Sequence, residues 1–128
     1  MRIILARHGE TDYNKNKKVQ GHSDIPLNEE GIKQGKEAGK KITDYNIDVA
    51  YSSTLGRAFD TARYMLDNSD NEINKTLEVI KDERLIEKSY GDYEGISFTE
   101  YAAGLENGET RGMELDADAA DRVEEFFK

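Results

Sequence analysis

Four consecutive apolar residues, Ile3-Ile4-Leu5-Ala6, run without a spacer into Arg7-His8-Gly9. An uninterrupted apolar run this short fits a strand covered on both faces, and such a strand requires helices on either side of its sheet. Its carboxyl end would deliver a histidine beside a cation. The chain holds only one other histidine, His22, so any histidine chemistry centres on His8.

The remaining pattern alternates in the same sense. Residues 7–26 read as a loop rich in Gly, Asn, Asp and Lys, with the sole proline at Pro26. Asn28 caps a predicted helix to about Thr43, with Ile32, Gly35, Ala38, Gly39 and Ile42 on one face. Residues 47–52 read as a second strand. Ser53 or Thr54 then caps a second helix to about Leu66, with Ala58, Ala62, Met65 and Leu66 inward. Residues 77–81 read as a third strand, and a glycine-punctuated loop follows over roughly 85–96. Ser97 with Glu100 forms a capping-box pattern for a third helix. Ala119, Ala120, Val123, Phe126 and Phe127 fall on one stripe of a last helix. This order predicts an α/β fold, a three-layer αβα arrangement around a mostly parallel sheet, in a single domain over residues 1–128. Ligands of such sheets bind at the carboxyl ends of the strands.

Composition narrows the function classes. Eighteen basic against 27 acidic residues leave a net charge of −9, which argues against nucleic acid and against anionic membrane surfaces. A local basic pocket for a small anion remains compatible with that balance. The absence of cysteine removes disulfide, thiolate and zinc-thiolate chemistry. The first apolar run is too short for a signal peptide and no membrane span follows, so a cytoplasmic location is expected. Residues 104–128 are the most acidic stretch, with eight acids and three bases, but keep a helical pattern.

Two strand ends carry suggestive chemistry. Neutral imidazole is a good nucleophile toward phosphorus, and an unperturbed pKa near ~6.5 keeps much of His8 neutral at pH 7. Arg7 offers phosphate a planar fork of donors, and Gly9 permits close approach of the backbone. The same Arg-His-Gly also fits a histidine hydrogen-bonded in a turn. Arg57 follows the second strand, in the first turn of a helix whose amino end already favours anions. On its own it also fits a solvated surface arginine. Glu87, flanked by apolar residues in a glycine-rich loop, would hold its proton more tightly if partly buried, and so could donate it to a leaving group. Asn14 and Ser23 in the first loop supply amide and hydroxyl groups. His22 reads as a loop residue, Lys15, Lys17 and Lys18 as a solvated face, and Asp116, Asp118 and Asp121 as solvated helix acids rather than a metal cluster.

Taken in order, these segments resemble one family. Leu5-Ala6-Arg7-His8-Gly9-Glu10-Thr11, the Asn14 loop, Gly21-His22-Ser23-Asp24-Ile25-Pro26-Leu27-Asn28-Glu29-Glu30-Gly31, the Ser-Ser…Arg-Ala…Thr-Ala run and Glu87…Gly91…Glu94-Gly95 follow the order of the histidine phosphatase superfamily, the phosphoglycerate mutase-like group. The resemblance extends through Gly108-Glu109 and Arg122-Val123. It implies that His8 is the nucleophile and becomes phosphohistidine, that Arg7 and Arg57 bind the transferring phosphoryl group, and that Glu87 is the general acid and then the base. It further implies that Asn14 contacts phosphate and that Ser23 contacts phosphate or substrate, with no metal and no cofactor. The expected partner is a small phosphorylated substrate or inorganic phosphate. The pattern over Glu87–Gly95 resembles the small phosphatase members, and the spacing from Arg57 to Glu87 leaves little room for the insertions typical of mutases. Hydrolysis of a phosphomonoester is therefore the expected activity, with a catalytically impaired phosphate-binding fragment or a phosphoglycerate mutase as alternatives.

One element of the family has no match among these residues: the later strand and loop that carry a second histidine of the phosphate pocket. His22 does not replace it, because residues 21–31 already match an earlier family segment. The resemblance thus implies a domain truncated at its C-terminus, about the first two-thirds of a family member. Loss of one preorganised donor typically costs ~10²–10³ in rate. A missing strand would leave a sheet edge open to self-association, which makes a homo-oligomer through that edge an expectation.

Overall fold

The computed structural model describes all 128 residues. In chain order it comprises α1 (Asp12–Lys15), α2 (Glu29–Lys41), β1 (Ala50–Ser52), α3 (Gly56–Asp67), α4 (Glu72–Lys75), β2 (Val79–Lys81), two 3-10 turns (Glu83–Leu85 and Gly91–Tyr93), α5 (Phe98–Glu106) and α6 (Asp116–Phe127). β1 and β2 pair in parallel with Ala50 opposite Val79 and Ser52 opposite Lys81, and α3 and α4 lie in the crossover between them. The fold is α/β, with helices around a small parallel sheet. No helix is long and apolar enough to cross a membrane.

The sheet has two strands where three were expected. The first predicted strand, residues 2–6, does not form: residues 1–8 make no backbone hydrogen bond, and Leu5 is 82% exposed. The apolar run satisfies the local requirement for a buried strand, but a strand also needs ladder partners, and none of the other segments pairs with it. The predicted second and third strands are present in shortened form.

Helix α2 begins where the sequence places it. The Asn28 side chain accepts from the Gly31 amide, and Glu29 and Glu30 sit in the first turn. Its buried face is a row of glycines, Gly31, Gly35 and Gly39, one turn apart. That row lets α2 lie close against α3: a Cβ on Gly35 would come 3.1 Å from Tyr64 Cβ, and one on Gly39 2.5 Å from the Met65 carbonyl oxygen. Ile42, Leu55 and Leu66 are buried nearby.

Helix α3 is capped differently from expectation. Leu55, not Ser53 or Thr54, holds the N-cap position and supplies no side-chain bond. Asp24 substitutes from the distant first loop, its carboxylate accepting from the Gly56 amide at 2.9 Å. That loop is itself more ordered than its composition suggests. Thr11 and Asn14 form a reciprocal capping box on α1, and short bridges join Thr11 to Leu27 and Lys18 to Ser97.

The second half packs on Tyr93, which is fully buried. Its hydroxyl donates to the Glu109 carbonyl at 2.6 Å, and Tyr101 meets its ring edge-on at 5.1 Å. Ser97 caps α5 by accepting from the Glu100 amide, as the capping-box pattern predicts. Of the stripe predicted on α6, Ala119, Val123 and Phe126 are half-buried, whereas Ala120 and Phe127 are exposed. The inward face turns toward Tyr51, which packs edge-on against Phe126 at 5.1 Å.

Candidate active site

The segment carrying His8 is fixed through its neighbour. Gly9 is buried, and a side chain there would collide with the Gly31 carbonyl at the start of α2. Its amide donates to Thr61 Oγ1 at 2.9 Å, and the Thr61 hydroxyl donates to the Arg57 carbonyl at 2.7 Å. One residue of α3 therefore ties the histidine segment to the helix turn that carries Arg57. Thr61 lies four residues, one helical turn, beyond Arg57.

His8 is half-buried, and its Nδ1–H donates to the Gly9 carbonyl at 2.7 Å. With Nδ1 as the donor, Nε2 keeps its lone pair free. Burial lowers the His8 pKa. The Gly9 hydrogen bond opposes it, the positive charges of Arg57 and Arg7 lower the pKa further, and the Glu87 carboxylate acts in the opposite sense. The net direction is downward, toward a neutral imidazole.

Arg57 is the largest fully buried side chain of the molecule, 1% exposed, so it is no solvated surface arginine. Its Nη1 donates to the Ser23 carbonyl and its Nη2 to the Gly21 carbonyl, each at 2.6 Å. A guanidinium carries five donors, so these two bonds fix its plane and leave the others for an anion. Burial lowers its pKa, and the charges of Glu87, Asp24 and Glu94 raise it. The group stays a cation in any case.

Glu94 locks the other side of this loop. Its Oε2 accepts from the amides of His22 at 3.0 Å and Tyr90 at 3.1 Å, and its Oε1 from the Ser23 hydroxyl at 3.0 Å. Burial would raise the Glu94 pKa, but these bonds outweigh it and hold the carboxyl below its usual value. Gly21 is in the left-handed region at φ 54°, and a Cβ there would collide with the Glu94 carboxylate.

Glu87 is exposed, not partly buried as its apolar neighbours suggested. The segment is held by its backbone instead: the Glu87 carbonyl accepts from His22 Nε2–H at 2.7 Å, and Glu87 Oε1 accepts from the Lys88 amide at 2.8 Å. Arg7 is also exposed and makes no hydrogen bond within the chain. Thus His8, Arg7, Arg57 and Glu87 share one electrostatic neighbourhood. Asn14 stands apart from it in its contacts, its Oδ1 accepting from the Thr11 amide at 3.0 Å and its Nδ2 without a partner in the chain. Ser23 contributes its carbonyl to Arg57 and its hydroxyl proton to Glu94. Asp116, Asp118 and Asp121 form no group that would hold a metal, and Asp116 pairs with Lys88.

The profile of the histidine phosphatase superfamily (branch 1) matches residues 3–128. The chain belongs to the histidine phosphatase superfamily. Among curated histidine phosphatase relatives, the 2,3-bisphosphoglycerate-dependent phosphoglycerate mutase of Treponema denticola is 38% identical over 104 residues, which is 80% of this chain and 41% of that protein. The solved phosphoglycerate mutase from Bacillus anthracis superposes with a TM-score of 0.83 at 26% identity, over 94% of this chain and 63% of that one. A mycobacterial glucosyl-3-phosphoglycerate phosphatase in complex with VO3 superposes with a TM-score of 0.77 at 30% identity, over 90% of this chain and 59% of that one. The chain thus spans about two-fifths of the length of the curated superfamily relative.

Two supports of this candidate site escaped the reading of residue types. Thr61 and Glu94 were both inside matched segments without an assigned role. For Thr61 the signal was its helical spacing from Arg57. For Glu94 the bonds that tie the two loops together had no local signal, because His22 and Ser23 lie 72 and 71 residues away.

Proposed function

We propose that the chain carries the phosphate-handling part of a phosphomonoesterase that works through a phosphohistidine on His8. The observation that supports this most is the His8 tautomer: Nδ1–H is engaged by Gly9, so Nε2 is a free nucleophile within the field of two arginines. In the forward step, Nε2 attacks phosphorus, the P–O ester bond breaks, and the Glu87 carboxyl gives its proton to the departing alkoxide. Arg57 and Arg7 hold the equatorial oxygens as their charge redistributes. In the second step the Glu87 carboxylate takes a proton from water, the water oxygen attacks phosphorus, and the P–N bond to His8 breaks. Asn14 Nδ2 is an additional donor for phosphate, and Ser23, whose proton is given to Glu94, offers substrate an acceptor oxygen. The substrate is a small phosphorylated molecule, and the place of action is the cytoplasm.

Hydrolysis is favoured over mutase transfer by the Glu87–Gly95 pattern, which resembles the small phosphatase members. The test is turnover of p-nitrophenyl phosphate without added metal, together with intact mass after brief exposure to substrate under alkaline quench. The expected result is turnover and one added phosphoryl group, both lost in His8→Ala. Turnover that persists in His8→Ala would sink the phosphohistidine route.

A further inference from the structure

Helix α6 sends one side chain across the segment that bears Glu87. Arg122 uses all five of its N–H donors. Nε donates to Glu114 Oε2 at 3.0 Å and Nη2 to Glu114 Oε1 at 2.8 Å. Nη1 donates to the carbonyls of Arg84 and Ile86, and Nη2 also donates to the Glu87 carbonyl at 3.2 Å. Glu114 continues the grip by pairing its backbone with Ser89: its amide donates to the Ser89 carbonyl at 2.9 Å, and its Oε1 accepts from the Ser89 amide at 3.3 Å. Carbonyls on one side of Glu87 are thereby bound to Arg122, and the residue two beyond it is bound to Glu114.

An isolated ion pair at a surface contributes little. Here the ion pair has a second purpose. Glu114 orients a planar fork whose remaining donors meet three backbone acceptors at once, a geometry that a lysine ammonium does not reproduce. The exposed Glu87 side chain receives no support from burial, so its position depends on its backbone. That backbone is held between Arg122 on α6 and His22 on the phosphate loop.

We infer that Arg122, oriented by Glu114, is a positioning residue for Glu87. The inference rests on the reading of Glu87 as the proton donor. It is tested with Arg122→Lys and Glu114→Gln, neither of which removes the bulk of the side chain. Misplacement of a catalytic group by an ångström can cost ~10²-fold, so a loss of about tenfold or more in kcat is expected toward an alkyl phosphate, with KM little changed. Toward p-nitrophenyl phosphate, whose leaving group needs no proton, the loss is expected to be much smaller. Combining Arg122→Lys with Glu87→Gln should slow the reaction no further than Glu87→Gln alone. Equal losses on both substrates, or multiplicative losses in the double variant, would overturn the inference.

A second readout does not depend on turnover. Amide hydrogen exchange at Leu85, Ile86 and Ser89 should accelerate at least several-fold in Arg122→Lys while α2 keeps its protection. Unchanged exchange there would also overturn it. A wild-type chain without turnover, or with turnover that survives His8→Ala, would instead defeat the phosphatase reading, and the exchange experiment would still decide whether Arg122 holds the segment.

Discussion

His8 is subject to two effects of the same sign. Burial and the nearby charges of Arg57 and Arg7 all disfavour imidazolium, and they prevail over the Gly9 carbonyl and Glu87. The consequence for pH follows from the sign. A folded pKa below the unfolded value of about 6.5 means that the unfolded chain takes up the proton first as pH falls. Stability should therefore decline as pH drops through and below that value, and His8→Gln should flatten the decline in urea melts; an identical pH dependence in wild type and variant would contradict the assignment. The acid limb of kcat/KM should likewise lie below the ordinary histidine range, because the free enzyme needs neutral Nε2.

At this scale the sequence singles out candidates by type and position together. Arg7, His8 and Arg57 stand out because residue type and strand or helix position coincide. The burial of Arg57 was not legible, since it depends on carbonyls of Gly21 and Ser23 that sit 36 and 34 residues upstream. Nor was the exposure of Glu87, whose apolar neighbours turn elsewhere while its carbonyl bears the contacts.

Among the elements, the pairing of α2 with α3 depends on absent side chains. A Cβ on Gly39 would meet a backbone carbonyl, which cannot rotate away. Alanine improves helix propensity by about 1 kcal/mol. Overpacking against a rigid neighbour costs about 1–3 kcal/mol, so Gly39→Ala should be destabilising by about 1 kcal/mol. Gly35→Ala meets Tyr64 Cβ at 3.1 Å and the Thr61 carbonyl oxygen at 3.7 Å, a much milder overlap that a small helix shift relieves, and should be close to neutral. Urea midpoints with an unchanged m-value would show the contrast, and a stabilised Gly39→Ala would refute the close approach. Caps supplied by neighbouring residues, Asn28 and Ser97, could be read directly. The cap on α3 could not, because Asp24 reaches it from 32 residues away. Residues 2–6 show the same limit in reverse: local apolarity is readable, a ladder partner is not.

For the molecule as a whole, the balance of surface and core is thin. Only 18 of the 128 residues are buried, while Val49, Tyr51 and Ile80 are exposed at a two-stranded sheet and Ile3 and Leu5 are exposed in the unpaired first segment. Open strand edges with apolar side chains recruit further chains. The 128-residue chain should therefore sediment faster as its concentration rises, despite a net charge of −9 that opposes association. A sedimentation coefficient independent of concentration, at low and at high salt, would rule this out.

Glu94 has a consequence for how the site can move. Three donors from two loops converge on its single carboxylate. Tyr90 shares a loop with Glu94, so the two loops are joined by the bonds from His22 and Ser23, and losing one of these leaves the other in place. The Gly21 and Tyr90 segments thus share a single latch, the Glu94 carboxylate, and loss of that one group would free both loops together.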